Sequence, residues 1–419
     1  MPRFRYIFTN RNFCVLWLSQ IVSNFGDRLN QMALIALVTK LSPHSSFSLA
    51  LLFSFMVIPV FVIGPVAGTY IDRWDKRKIM IISDILRGLL VAAIPVMLIF
   101  FKSLIPVYVI VLIVFSLTRF FLPSKMAIIP ELVSKDELLI ANSLTSTTRM
   151  IATVLGLVCA GLLVKFIGVS AGFYIDALTY FISGALIALI NTRGPSRIKE
   201  QITIAREAFG SALKGSVLSQ IKEGINYLKG TPNMRFVMKV SLLLMGGVGA
   251  ISVVSIVFVQ EALGTVTIDL GFLGMMLAGG LFIGTLFYGR MGSKLSKEKV
   301  IFSSFIASGI MIIAFVFLIM NTHSWILGWI LLALLGVVAS PILISANTLI
   351  HEAMPAGLGG RIFSAVEIVW HLALIVAMLS ASIMSEYVGN AAILVLCGAV
   401  FVVSGIHGVS KSNKNPVPL

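Results

Sequence analysis

Twelve continuous apolar runs dominate this sequence, each close to the ~20 residues a helix needs to cross a bilayer core. They fall at about 13–39, 47–70, 79–101, 104–122, 138–164 and 169–190 in the first half. In the second half they fall at about 236–260, 268–289, 300–320, 324–350, 361–384 and 389–409. Runs of this length are too long for strands. Lipid demands a backbone that satisfies its own hydrogen bonds, and the period-2 alternation of a barrel is missing. The expected fold is an all-α integral membrane protein with twelve transmembrane helices. Composition agrees: the chain is 58% hydrophobic and 12% charged, where a soluble domain carries about 25% charge. Arg3, Arg5 and Arg11 precede a full-length first span, so the N-terminus reads as a membrane helix and not as a cleavable signal peptide.

The few charges are one-sided, with a net charge of +15. In a soluble chain that excess would raise the question of nucleic acid. Here the position of the charges answers it. Of 32 basic residues, 24 fall in alternate connecting segments, Lys125 and Lys135 among them; three (Lys40, Lys102, Lys165) fall in the opposite set and five fall inside spans. By the positive-inside rule both termini are expected in the cytoplasm. Nucleic acid is not needed as a partner. Cys14, Cys159 and Cys397 all lie in apolar stretches, which implies neither a disulfide framework nor a metal cluster.

The longest polar stretch, residues 191–235, separates six spans from six. The expected organisation is a six-helix bundle over 1–190, a cytoplasmic linker over 191–235, and a second bundle over 236–419. Ile221, Ile225 and Leu228 recur at helical spacing within the linker, as in a short amphipathic helix on the membrane surface. The halves also echo each other. Gly68 and the basic run after it recur at Gly289, and the same shift of 221 carries Gly26 to Gly247, Gly88 to Gly309 and Glu131 to Glu352. A constant shift across four helix pairs points to a duplicated unit and two pseudo-symmetric bundles.

Gly68, Asp72, Arg73, Lys76, Arg77 and Lys78 resemble the loop signature of the major facilitator superfamily, G-x-x-x-D-R-x-G-R-R-K, with Asp75 where that family has glycine. The resemblance implies a charge latch at the inner gate, with Asp84 as a neighbouring partner. Arg119 is similar to the fourth-helix arginine tied in many members to proton coupling. Gly156 and Gly161 resemble the exporter pattern G-P-x-x-x-G, although Leu157 stands where proline belongs. Pro130-Glu131-Leu132, Ala141 to Leu144 and Gly360 to Ser364 look most like macrolide-efflux exporters. Gln20, Ser23, Phe25 to Asp27 and Pro123 to Lys125 also resemble bacterial lysophospholipid transporters. The same resemblance implies a monomer in the bacterial cytoplasmic membrane.

Ionisable groups at mid-membrane cost at least ~2.5–3.5 kcal/mol, so those inside spans are the candidate functional residues. Gln20, Asn24, Asp27 and Gln31 share one face of the first span, with Arg28 beside it. Asp27 is a proton-coupling candidate; a neutral Asp27–Arg pair that packs the bundle is the alternative. Asp84 and Arg87, three apart, read as structural partners of the basic loop or of each other. Arg149 is a cavity candidate. Asp176 is expected near the outer end of its span, where hydration makes its charge cheaper. Glu367 and His371, four apart on one face, could pair or exchange a proton, and two ligands alone do not make a metal site. No nucleotide-binding loop occurs, so the proton gradient is the expected energy source and no cofactor is implied.

The expected function is therefore proton-coupled export of a small amphipathic, hydrophobic or lipid-like compound. Asp27, Arg119, Glu367 and His371 would serve coupling. Gln20, Asn24, Arg28, Gln31, Arg149 and Asp176 would line the cavity, with Arg28, Arg119 and Arg149 able to meet an anionic moiety. A lysophospholipid transporter or flippase is the rival within the class, and a transport-inactive receptor or scaffold is the rival outside it. A membrane-embedded enzyme is disfavoured because no nucleophile–base set can be named.

Overall fold

A computed structural model describes residues 7–63, 74–134, 136–191, 230, 232–264, 267–291, 296–352 and 359–414. Gly68, Asp72 and Arg73 of the loop signature, and the 221–228 stretch of the linker, lie outside the described residues. The first half comprises α1 (Arg11–Leu41), α2 (Ser46–Val57), α3 (Pro59–Val62), α4 (Lys76–Phe100), α5 (Ile105–Leu132), α6 (Leu138–Ile167) and α7 (Val169–Ala188). The second comprises α8 (Pro232–Leu263), α9 (Thr267–Met291), α10 (Lys297–Thr322), α11 (Trp325–Glu352), α12 (Gly359–Val388) and α13 (Asn390–Lys414).

Ten of these helices are long and apolar enough to cross a membrane. The two remaining expected spans are α1 and the pair α2–α3. The 31 residues of α1 exceed what a bilayer needs, and its polar face lowers its hydropathy. Pro59 removes a backbone donor at the junction of α2 and α3 and breaks one run into two helices. The fourth expected span needs a correction. It does not stop near residue 122 but runs on through Pro123 and Pro130 to Leu132. Lys125, read from sequence as part of an inner connecting segment, therefore sits on a membrane helix and is only 7% exposed.

The chain divides into two compact units, one of Met1–Leu41 with Leu52–Leu218 and one of Ser42–Leu51 with Ser219–Leu419. Inside each, the same helix pairs pack: α4 on α7 and α10 on α13, α1 on α6 and α8 on α12, α4 on α5 and α10 on α11. The 221-residue shift extends to individual contacts. A side chain on Gly88 would meet the Ala177 carbonyl and the Phe181 ring; one on Gly309 would meet the Gly398 carbonyl and Val402. Each contact is the other moved by 221 residues. Gly184 against Ile81 and Ile85 likewise matches Gly405 against Phe302 and Ile306. The final helix of each unit starts after a glycine in left-handed backbone, Gly168 at φ 87° and Gly389 at φ 85°, which lets the chain reverse between long helices.

The cores are apolar. In the second unit Phe305, Phe315, Val254 and Ile319 are almost fully buried. A smaller cluster in the first unit gathers Ile7, Phe13, Leu16, Met80 and Ile128. Large apolar side chains also face outward, Phe100 at 74% and Val403 at 66% exposure among them. That inversion is what a bilayer solvent permits.

Candidate functional site: a buried charge cluster in the first unit

Charged side chains converge inside the first unit from α1, α4, α5 and α7. The anchor is Arg87, 2% exposed, which donates to the Asp84 carboxylate one turn before it. Its guanidinium lies 4.3 Å from the Phe121 ring centroid and 4.4 Å from that of Tyr180. A planar cation between two aromatic faces gains quadrupole attraction that offsets part of the cost of its dehydration. Asp84 is fully buried, with Ser183 beside it. A buried pair of this kind is costly to assemble and costlier to break, because removing one partner strands the other charge.

Tyr180 joins the second carboxylate to the cluster. Its hydroxyl donates to Asp27 Oδ1 at 2.6 Å across 153 residues of sequence. Asp27 itself is half-buried on α1. The third carboxylate, Asp176, lies one turn from Tyr180 on α7. The Thr179 hydroxyl donates to the Asp176 main-chain carbonyl at 2.7 Å and lies 3.3 Å from Asp176 Oδ1, while Asp176 Oδ2 has no hydrogen-bond partner among the described residues. Gly26 lets α1 approach here: a Cβ on it would overlap both Thr179 and Asp176. The expectation of a hydrated Asp176 is overturned, since its exposure is 0%. It lies eight residues into a 20-residue helix and is covered by α1.

Lys125 completes the set from α5, within electrostatic range of Asp27, Arg149, Arg87 and Asp84. Arg149 is exposed on α6, and Arg119 is half-buried on α5. Arg28 does not pair with Asp27. Its Nη1 donates to Gln31 at 2.9 Å, and its stem packs at 3.0 Å against the position a Cβ on Gly156 would take. Gln20 is buried and donates to Ser19 at 3.4 Å, while Asn24 is half-buried on the same helix. Trp17 Nε1 donates to Thr148 at 2.8 Å and fixes the register of α1 against α6.

The described part of the loop signature forms a second, separate arrangement at the start of α4. Asp75, the departure from the family pattern, caps the helix by accepting from the Lys78 amide at 3.1 Å. Lys76 donates to Glu131 at 2.6 Å, tying α4 to the end of α5. Arg77 donates to the Ile187 carbonyl at 3.3 Å and to the Ala188 carbonyl, where α7 ends with unsatisfied acceptors. In the loop between α5 and α6, the Ser134 hydroxyl and amide donate to Glu137 and hold its carboxyl below the usual carboxylate range.

Glu367 and His371 lie on α12 of the other unit. His371 Nδ1 sits 2.8 Å from the Glu367 main-chain carbonyl, and Glu367 is exposed. Among the described residues no group of three His, Cys, Asp or Glu side chains could hold a metal ion.

Sequence reasoning names Asp27, Asp84, Arg87 and Asp176 and offers Asp84 and Arg87 as partners of each other, as they are, but does not join that pair to Asp27 and Asp176. It misses Phe121 and Lys125. Their one sequence signal is position, four apart and flanking Pro123 on a run that continues as helix.

Comparison with known proteins agrees with this architecture. A model of the Major Facilitator Superfamily matches residues 16–378 and again 237–416. An uncharacterized MFS-type transporter of Bacillus subtilis, YfiS, is 24% identical over 99% of this chain and 98% of its own. Macrolide efflux protein A of Streptococcus pyogenes is 23% identical over 71% of each chain. Multidrug efflux pump Tap of Mycolicibacterium fortuitum is 26% identical over 73% of this chain and 72% of its own. Among solved structures, a bacterial homologue of the iron transporter ferroportin, in an inward-facing state, superposes with a TM-score of 0.69 at 15% identity. It covers 96% of this chain and 99% of that one. The POT family transporter PepTSo superposes with a TM-score of 0.70 at 12% identity, covering 97% and 98%. With the duplicated helical units, these matches show that the chain is a transporter rather than an enzyme and belongs to the major facilitator superfamily.

Proposed function

We propose that this protein is a proton-coupled secondary transporter that exports small amphipathic compounds by alternating access. The observation that carries the reading is the meeting of Asp27, Asp84 and Asp176 with Arg87 and Tyr180 inside one helical unit. Groups of this kind within membrane spans are expensive, and proton or ion pathways are where such expense is repaid. The efflux proteins among its relatives support the direction of transport.

Burial and partners support the following roles. Asp84 and Arg87 neutralise each other, and the guanidinium is held between the Phe121 and Tyr180 rings. Asp27 is the carboxylate with partial exposure, so it is the group that takes and gives up the proton. Its bond to Tyr180 reports its charge state to Arg87 through the stacked ring. Glu367 and His371 are a secondary coupling pair on α12. No cofactor takes part; the proton gradient supplies the energy. The protein acts as a monomer in the bacterial cytoplasmic membrane, with both termini in the cytoplasm.

The test uses everted membrane vesicles loaded with an amphiphilic, environment-sensitive dye. An imposed pH gradient should drive dye movement with the parent protein. Asp27→Asn should abolish the response while leaving the amount of folded protein unchanged. Full pH-driven movement in Asp27→Asn would remove Asp27 from coupling.

A further inference from the structure

The C-terminal end of α8 carries the wrong charge for a helix. That end of the helix dipole is negative and favours a cation. The last turn of α8 has no basic residue and holds Glu261 instead. In the first unit the matching position, 221 residues earlier, is Lys40 in the last turn of α1. Three other segments of the second unit converge on Glu261 and its neighbour Ala262. At the start of α13, Asn390 Nδ2 donates to both Glu261 carboxylate oxygens at 3.1 Å. The Ser46 hydroxyl donates in turn to Asn390 Oδ1 at 2.8 Å. Ser46 and Asn390 are both buried, so they form a sealed, uncharged scaffold.

Two histidines complete the arrangement from outside that scaffold. His44, two residues before Ser46, places Nδ1 3.9 Å from Glu261 Oε1. His323, just after α10, donates from Nδ1 to the Ala262 carbonyl at 2.8 Å. A carbonyl can only accept, so Nδ1 of His323 carries the hydrogen and Nε2 is the atom that titrates. Both imidazoles are exposed. Among the described residues these are also the two non-glycine positions in left-handed backbone, His44 at φ 59° and His323 at φ 48°. That conformation is unfavourable for a residue with a Cβ, and at each position it delivers an imidazole to the same helix end. Of the other neighbours of α8, α12 ends near Glu386, which is exposed and makes no ion pair among the described residues. The first turn of α11 is uncharged.

We infer that this helix end is a proton-sensing clasp within the second unit. Protonated His44 and His323 hold the Ser42–Leu51 segment and the α10–α11 turn against the end of α8, and neutral imidazoles hold them less firmly. The cause is electrostatic: an imidazolium meets both the Glu261 carboxylate and the negative end of the dipole, whereas a neutral ring meets them only as a dipole. The charge is present below the imidazole range and lost as pH rises through it, so the clasp tightens in acid. The division of labour suits a sensor, because buried Ser46 and Asn390 fix the position of Glu261 while the titrating rings stay open to bulk protons. On the orientation proposed above, the ends of α1, α8 and α10 all face outside. The clasp then reads the pH of the side from which coupling protons enter.

The clasp takes its sidedness from the transport reading above but fails separately from it. The experiment is hydrogen–deuterium exchange on the purified full-length protein in a nonionic detergent, at about pH 5.5 and about pH 8, either side of the imidazole range. After correction for the intrinsic effect of pH, residues 42–51 and the last turn of α8 should be better protected at the lower pH. The gain should be about two- to fivefold for each imidazole involved. His44→Gln and His323→Gln should each remove part of that difference, and the double variant nearly all of it. His44→Lys, charged at both values, should keep protection at the higher pH, which separates loss of charge from loss of shape. His407→Gln, toward the far end of α13, should change nothing. Size-exclusion profiles matching the parent certify the folded state of each variant. Protection independent of pH in the parent would overturn the clasp, as would an undiminished pH effect in the double Gln variant. pH-driven dye movement alongside pH-independent protection removes the clasp alone. A histidine-dependent pH effect without pH-driven dye movement removes the proton coupling alone.

Discussion

The two units are built on one plan and filled with opposite chemistry. Where the first unit buries Asp84, Arg87 and Tyr180, a shift of 221 residues arrives at Phe305, Ser308 and Phe401 in the second. Phe305 and Phe401 pack edge to face with ring centroids 5.1 Å apart, in the place where the first unit stacks a guanidinium on a tyrosine. Asp27 corresponds to Val248, Asp176 to Cys397 and Lys125 to Ala346. Three glycines that bring helices together, Gly26, Gly88 and Gly184, are kept as Gly247, Gly309 and Gly405. The fold therefore does not need the charges. The second unit shows how the same helix pairs hold without them, and the first carries them at a cost in stability.

That contrast can be broken most sharply at the ion pair. Asp84→Ala should leave Arg87 buried and uncompensated and lower stability by roughly 3–5 kcal/mol. Ser308→Ala at the matching place should change it by about 1 kcal/mol or less. Thermal unfolding of both variants in the same detergent checks this, and equal losses would dissolve the distinction between the units. The double variant Asp84→Leu with Arg87→Met sharpens it further. Apolar residues of similar size often replace buried ion pairs at little cost, so stability should recover to near the parent while pH-driven transport stays lost.

A smaller effect separates the glycines. At Gly309 an added methyl would strike the Gly398 carbonyl, which is backbone and cannot step aside; at Gly88 the nearest obstacle is the Phe181 ring at 2.9 Å. Gly309→Ala should cost about 1–3 kcal/mol, and Gly88→Ala less. Tyr180→Phe removes the bond to Asp27 but keeps the ring over Arg87, so about 1–2 kcal/mol and a shifted pH profile of transport are expected. The smallest change is Asp75→Ala, which removes the cap of α4 and should cost about 1 kcal/mol in the same unfolding assay.

The spans are legible in the sequence because lipid enforces a simple rule, long apolar runs that satisfy their own backbones. The duplication is legible because glycine positions survive where side chains diverge. The fourth span is misjudged because Pro123 looks like a stop, whereas a membrane helix tolerates proline when its neighbours satisfy the freed carbonyl. That single boundary hides Lys125. The site is half visible. Charge in a lipid span announces itself, so Asp27, Asp84, Arg87 and Asp176 can be named from sequence. The Asp84–Arg87 pair is readable from its spacing, but the partners of Asp27 and Asp176 are not. Asp27 and Tyr180 are separated by 153 residues, and only the packing of α1 on α7 brings them together. Asp176 is misplaced for the same reason, since nothing in its own helix shows that Gly26 opens a berth for it.

Those close-packed glycines also bear on how the first unit works. Gly88 and Gly184 draw α4 and α7 together at two places along their length, and Gly26 does the same for α1 and α7. Helices seated that closely cannot slide or part without losing a continuous seam, so they behave as a single rigid strut. Arg87, Asp84 and Tyr180 all ride on that strut, with Asp27 pinned beside them. On the coupling proposed above, a change in charge at Asp27 would be met at nearly fixed spacing, and the strain would pass to wherever the strut ends.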